Sequence, residues 1–161
     1  MVMARLVFAT LGLAALAGCM ETSEITSAPV KMSYKAAAKG LTANTIAETE
    51  IRTAVKGPDG KRVEKLGVPC SIDTVYYTAA ITTPVKARLP SFAEKTPVLR
   101  IACVYEGKTY TSEARAFNKT ASDRTAAYGG GLLTAAIVSA TTKAENSVFI
   151  YPNITVDLFT E

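Results

Sequence analysis

The chain of 161 residues contains no histidine and no tryptophan. Without histidine, neither a Ser-His-Asp nor a Cys-His site can be assembled, and the commonest metal ligand is missing. Cysteine is scarce: Cys19, Cys70 and Cys103 stand far apart in sequence and lack the close spacing of a zinc site. Carboxylates offer little more. Glu64, Asp73, Glu94, Glu106, Glu113, Asp123 and Asp157 are scattered singly, mostly beside turns or lysines, whereas a two-carboxylate hydrolase needs a pair held within about 10 Å. These absences argue against an enzyme and leave no metal or cofactor to expect. A dense basic stripe is missing too. With 18 Lys and Arg against 14 Asp and Glu, the net charge is +4, far from that of a nucleic-acid binder.

What is present begins at the N-terminus. Arg5 precedes an apolar run from Leu6 to Gly18, which closes on Leu16-Ala17-Gly18-Cys19. The run is too short to span about 30 Å of hydrocarbon, and its order of charge, apolar stretch and small residues is that of a secretory signal. Ending in cysteine, the site resembles the lipobox of bacterial lipoproteins. That resemblance implies a diacylglyceryl group on the Cys19 thiol, cleavage before Cys19, and acylation of the new amine. A single acyl chain anchors only marginally, whereas three make attachment effectively permanent. Met20 rather than Asp follows the cysteine, which points to the outer membrane of a Gram-negative envelope, with the domain facing the periplasm.

Removal of residues 1–18 leaves enough chain for one domain, and loss of Arg5 lowers the net charge from +4 to +3. Residues 19–30, rich in Ser, Thr and Glu and containing Pro29, are expected to form a flexible lipidated tether, with the folded domain over 31–161. With Cys19 committed to lipid, Cys70 and Cys103 remain as an even pair in an oxidising compartment, where a disulfide is the natural reading. A redox-active pair would favour the C-x-x-C spacing that depresses a thiol pKa, and that spacing is absent here.

Past the tether the pattern has a period of two. Met32 to Lys35 alternates weakly. Thr45 to Val55 places Ile51, Thr53 and Val55 on one face, as a half-buried strand does. Gly57-Pro58-Asp59-Gly60 is a strong turn, and Val63 to Ile72 continues beyond it. Val75, Tyr77, Ala79 and Ile81 share a face of the next strand. Pro84, Pro90 and Pro97 predict irregular or edge structure between them. The clearest hairpin sets Leu99, Ile101, Cys103 and Tyr105 before Glu106-Gly107, with Tyr110, Ser112, Ala114 and Ala116 after it. Val148, Ile150, Ile154, Val156 and Leu158 suggest one long final strand interrupted by Pro152. The uncharged stretch Thr125 to Thr142 predicts a glycine-opened, Ala-rich helix over a sheet edge, capped by Ser122 or Asp123. A membrane contact by this stretch, or a surface for a partner, is the less favoured alternative. Many short strands without a βαβ rhythm predict a mainly β fold, a small antiparallel β-sandwich with one short Gly/Ala-rich helix near the C-terminus.

Gly67-Val68-Pro69-Cys70, Thr82-Thr83-Pro84, the run Val98 to Tyr110, Gly129-Gly130-Gly131 and Tyr151-Pro152 follow one another in an order that resembles a group of bacterial envelope proteins. In that group a G-x-P-C strand, a TTP turn and a V-x-C-x-x-x-G-Y hairpin precede a Gly-rich stretch and a YP strand. Here Lys108-Thr109-Tyr110 stands where Gly-Tyr is more usual. The resemblance implies a sandwich similar in style to PEGA or carboxypeptidase-regulatory-like domains, with the two cysteines bonded. It brings no catalytic residues.

Two function classes follow. One is a non-enzymatic, lipid-anchored structural or protein-interaction module, joined to the membrane through Cys19 and meeting an envelope protein partner. The other is a binder of anionic envelope polymer (peptidoglycan or lipopolysaccharide) or of a small ligand. Its basic turn would supply Lys56, Lys61, Arg62 and Lys65, with Lys86 and Arg88 further on. A solvated hairpin whose lysines protect an edge is the simpler account of that turn. Tyr76, Tyr77, Tyr105, Tyr110, Tyr128 and Tyr151 could form a recognition surface, but strand tyrosines more often cover a core. Asn118-Lys119-Thr120 and Asn153-Ile154-Thr155 match the glycosylation pattern by chance.

Overall fold

The structure, a computed structural model, describes residues 20–127 and 147–159. Two five-stranded sheets form a small, mainly β sandwich. The first sheet runs β1 (Val30–Lys31), β7 (Val85–Ser91), β3 (Thr45–Lys56), β12 (Ile154–Asp157), with β4 (Arg62–Glu64) also paired to β3. The second runs β2 (Ser33–Tyr34), β6 (Tyr77–Thr83), β5 (Val68–Asp73), β8 (Leu99–Tyr105), β9 (Lys108–Ala114). Between the sheets lies one core, in which Ile51, Ile72, Tyr77, Leu89, Leu99 and Ile101 are almost wholly buried. Each comes from the inward side of an alternating strand, so period-two patterning translates directly into packing.

The long strand β3 organises the first sheet. Ala54 is paired on both edges, with Glu64 of β4 on one and Asp157 of β12 on the other. Most pairings are antiparallel, but β1 with β7 and β12 with β3 are parallel. The sandwich is antiparallel in the main, as expected, and adds parallel ladders where the first and last strands join the sheet.

The chain changes sheets repeatedly, and it does so through short corners between β1 and β2, between β4 and β5, and between β6 and β7. The Val63 to Ile72 segment is therefore two strands rather than one. Thr53 holds two of these corners together. Its Oγ1 donates to the Lys65 carbonyl at 2.6 Å and meets the Thr83 hydroxyl at 2.7 Å. Gly67, at φ +74°, donates its N–H to the Thr83 carbonyl at 2.7 Å. Buried hydroxyls need partners, and here they find them at the bends where backbone carbonyls leave the ladders.

Other expectations are corrected by burial and pairing. Val85–Ser91 is an inner strand paired on both sides, although Pro84 precedes it and Pro90 lies within it. Its inward residues fill the core, which outweighs the punctuation by proline. Val75 lies outside β6 and is exposed. The final strand is broken at Pro152: β11 (Phe149–Ile150) pairs with β10 (Phe117–Asn118), and β12 joins the other sheet. The helix α1 spans Lys119–Ala127, earlier than expected. Its cap is Asn118, whose Oδ1 accepts the Ala121 N–H at 2.9 Å, rather than Ser122 or Asp123. Residues 128–142 of the expected helix lie outside the described residues. Among the described residues no helix is long and apolar enough to cross a membrane.

Candidate functional site

The two outer faces of the sandwich carry different chemistry. On the first sheet, register sets Glu48 opposite Arg88 and Glu50 opposite Lys86, opposite charges on one face. Arg62 forms a two-pronged ion pair with Asp157. At the centre Arg52 bridges two carboxylates, at 3.0 Å from Glu50 and 2.5 Å from Glu64. The Arg52 side chain is 12% exposed and that of Glu64 only 6%.

The chain leading from the N-terminus closes this cluster. Ser23 donates its N–H to Glu64 at 2.6 Å, and its carbonyl accepts from Arg52 at 2.9 Å. Glu21, Thr22 and Ser23 line a depression with Val63, Glu64 and Leu66. The tether expected over 19–30 is therefore shortened: Ser23 is clamped to the sheet and Val30 already pairs in β1. The peptide units at Ser23 bring one donor and one acceptor, and a buried ion pair has acceptors and donors left to satisfy. Burial works against ionisation of Glu64, yet the bonds from Ser23 and Arg52 outweigh it and hold its carboxyl below the usual range. Burial likewise opposes the charge on Arg52, and its bonds to Glu64 and Glu50 hold the guanidinium above its ordinary value.

The outer face of the second sheet has few charges. Thr78, Ala80, Ser71, Ala102, Val104 and Thr111 point outward from β6, β5, β8 and β9, with short neutral side chains throughout. Charge is confined to one end, where Asp73, Arg100 and Glu113 stand opposite one another in register. Arg100 binds Glu113 at 2.8 Å, and Asp73 binds Lys35 at 2.6 Å. Beneath this face, Cys70 and Cys103 are directly opposed in β5 and β8 and joined in a disulfide with an S–S distance of 2.04 Å.

The basic turn is largely committed within the fold. Lys61 lies 3.5 Å from Asp59, Arg62 is paired with Asp157, and the Lys65 ammonium sits 5.4 Å from the centre of the Tyr105 ring. Lys56 and Arg62 are paired across the hairpin, and Lys56 makes no ion pair among the described residues. Three of the four cations thus have partners within the fold, while the side chains of Lys61 and Arg62 remain exposed. Cys19 and Tyr128 lie outside the described residues.

The tyrosines mainly serve the core. Tyr77 donates its O–H to Tyr151 at 3.1 Å, and Tyr151 donates onward to the Pro97 carbonyl at 2.5 Å. Burial pushes both phenols above their ordinary range, so both stay protonated at neutral pH. Tyr76 meets Phe92 edge-on at 5.2 Å. Asn153 accepts the Glu50 N–H and Asn118 caps α1, so both apparent glycosylation sites have structural work. No group of three or more Cys, Asp or Glu among the described residues is placed to hold a metal ion.

Sequence reasoning missed Ser23, Glu50 and Arg52. A signal existed: Glu50 and Arg52 are two apart on one face of a strand, and the Gly57–Gly60 turn sets Glu64 opposite Ala54, beside them. No protein-family model, curated protein or solved structure matches the chain.

Proposed function

We propose that this protein is a non-enzymatic module of the bacterial cell envelope, anchored through lipid on Cys19 and serving as a structural or protein-interaction domain. The lipobox-like Leu16-Ala17-Gly18-Cys19 supports the anchor, and Met20 supports an outer-membrane address facing the periplasm. The observation that carries the interaction role is the neutral outer face of the second sheet. Charged side chains deter non-specific association, and the middle of this face has none. Small Thr, Ser and Ala side chains lose little rotamer entropy on contact, which suits a surface that docks a protein.

The test is site-specific photocrosslinking in cells, with the reactive residue at Ala80 or Thr111 and, for comparison, at Glu48. One stoichiometric envelope protein captured from the first two positions and not from Glu48 is the expected result. No capture at any position would overturn the interaction role and leave a solitary structural element.

A further inference from the structure

The clamp at Ser23 constrains where the membrane must lie. We infer that the β3–β4 hairpin rests on the bilayer that holds the Cys19 lipid, with Val63 and Leu66 entering the headgroup–acyl boundary. This inference rests on the proposed lipidation of Cys19. Glu21 lines the same depression as Val63 and Leu66. It stands two positions after Cys19, a reach of at most about 7 Å. A lipid on Cys19 therefore enters the bilayer close to these two side chains.

Their exposure agrees with that placement. Val63 is 48% and Leu66 56% exposed; both are large and apolar, Val63 on β4 and Leu66 two residues past its end. Lys56 and Lys61 flank them. Long ammonium side chains lie along apolar surface while their heads remain among phosphates, the arrangement of interfacial segments. Glu21 and Asp59 lie nearby, so apolar contact beside the anchor, rather than net charge, carries the inference. The clamp turns the anchor from a swivel into a fixed mount. With the hairpin against lipid, one orientation of the sandwich is selected, and an acyl chain or protein partner meets the same faces each time.

The absence of tryptophan makes the test clean, because one introduced tryptophan is the only one in the protein. The full chain is produced in a bacterial host, and the mature protein is weighed intact to establish the lipid on Cys19. Variants Leu66→Trp and Thr111→Trp are then placed in phosphatidylethanolamine–phosphatidylglycerol vesicles carrying brominated acyl chains. Blue-shifted, quenched emission from Leu66→Trp and unquenched emission from Thr111→Trp is the expected result. Equal quenching at both sites, or none at either, overturns the inference while the measured lipid leaves the anchor standing. A mature protein without lipid overturns both. Adding Arg52→Met and Glu64→Leu to Leu66→Trp removes the clamp without stranding a buried charge. Its quenching should fall, and unchanged quenching would overturn the role of the clamp.

Discussion

The two outer faces of this sandwich are built from the same alternating strands, yet they are stabilised and exposed in different ways. The face of the first sheet is charged and internally paired: Arg52 bonds both Glu50 and Glu64, Lys86 stands opposite Glu50, and the Ser23 segment is bonded over them. The face of the second sheet is neutral, and its support is covalent and hidden, in the Cys70–Cys103 bond beneath it. The difference teaches where contact with another protein is inexpensive. Docking onto the first face would require dismantling charge pairs, whereas the second presents groups with little to lose.

The sharpest way to break this contrast is to remove the covalent support. Replacing both cysteines, Cys70→Ala with Cys103→Ala, releases a constraint that spans 33 residues. For a loop of that size the unfolded-state entropy amounts to about 3–4 kcal/mol. Urea unfolding should show a loss of that order, the largest expected from any change described here. A loss below about 1 kcal/mol would mean that β5 and β8 are held by packing alone.

The charged face should fail for a different reason. Arg52→Met leaves Glu64 nearly buried with Ser23 alone as a specific partner, and is expected to cost about 2–3 kcal/mol in the same assay. Adding Glu64→Leu removes the stranded charge and should recover all but about 1 kcal/mol. A double variant no more stable than Arg52→Met would show that the cost lies in lost packing of the arginine stem.

Acid should separate the faces without mutation. Because Glu64 has a lowered pKa in the fold, its pairing stabilises the native state fully above the ordinary glutamate value of about 4.3. That contribution is lost as pH falls through the lower folded value. Amide exchange followed by NMR should therefore show the Ser23 N–H losing protection in acid before the Ala102 N–H of the second sheet does. Simultaneous loss would indicate one cooperative opening of both faces.

Much of the fold was legible because inward positions repeat every second residue. The β8–β9 hairpin follows the expected register from Leu99 to Ala114, with Glu106 and Gly107 both at positive φ in its turn. The corners were not legible. Nothing in the alternation of Val63 to Ile72 says that the strand ends at Glu64 and resumes in another sheet at Val68, since that depends on Thr53 and Thr83, distant in sequence. The same holds for the clamp. Ser23 reads as one more small polar residue in a tether, and its role depends on a buried pair that only the folded hairpin assembles. The cysteine pairing was legible from the even pair left once Cys19 is set aside, and its register across β5 and β8 from the fold alone.

The smallest expected effect on stability carries the most information about use. Thr111→Lys places a charge in the middle of the neutral face, at an exposed position on β9 opposite Ala102. Surface substitutions of this kind stay within about 0.5 kcal/mol, so the fold should persist with an unchanged unfolding midpoint. A docked protein would have to desolvate the new ammonium without a partner for it, which is costly. Partner recovery from the Ala80 crosslinker should therefore collapse in Thr111→Lys and survive in Glu48→Lys, where the charge changes on the other face. Equal recovery from both variants would remove the functional meaning of the contrast, leaving two faces that differ only in how they are held together.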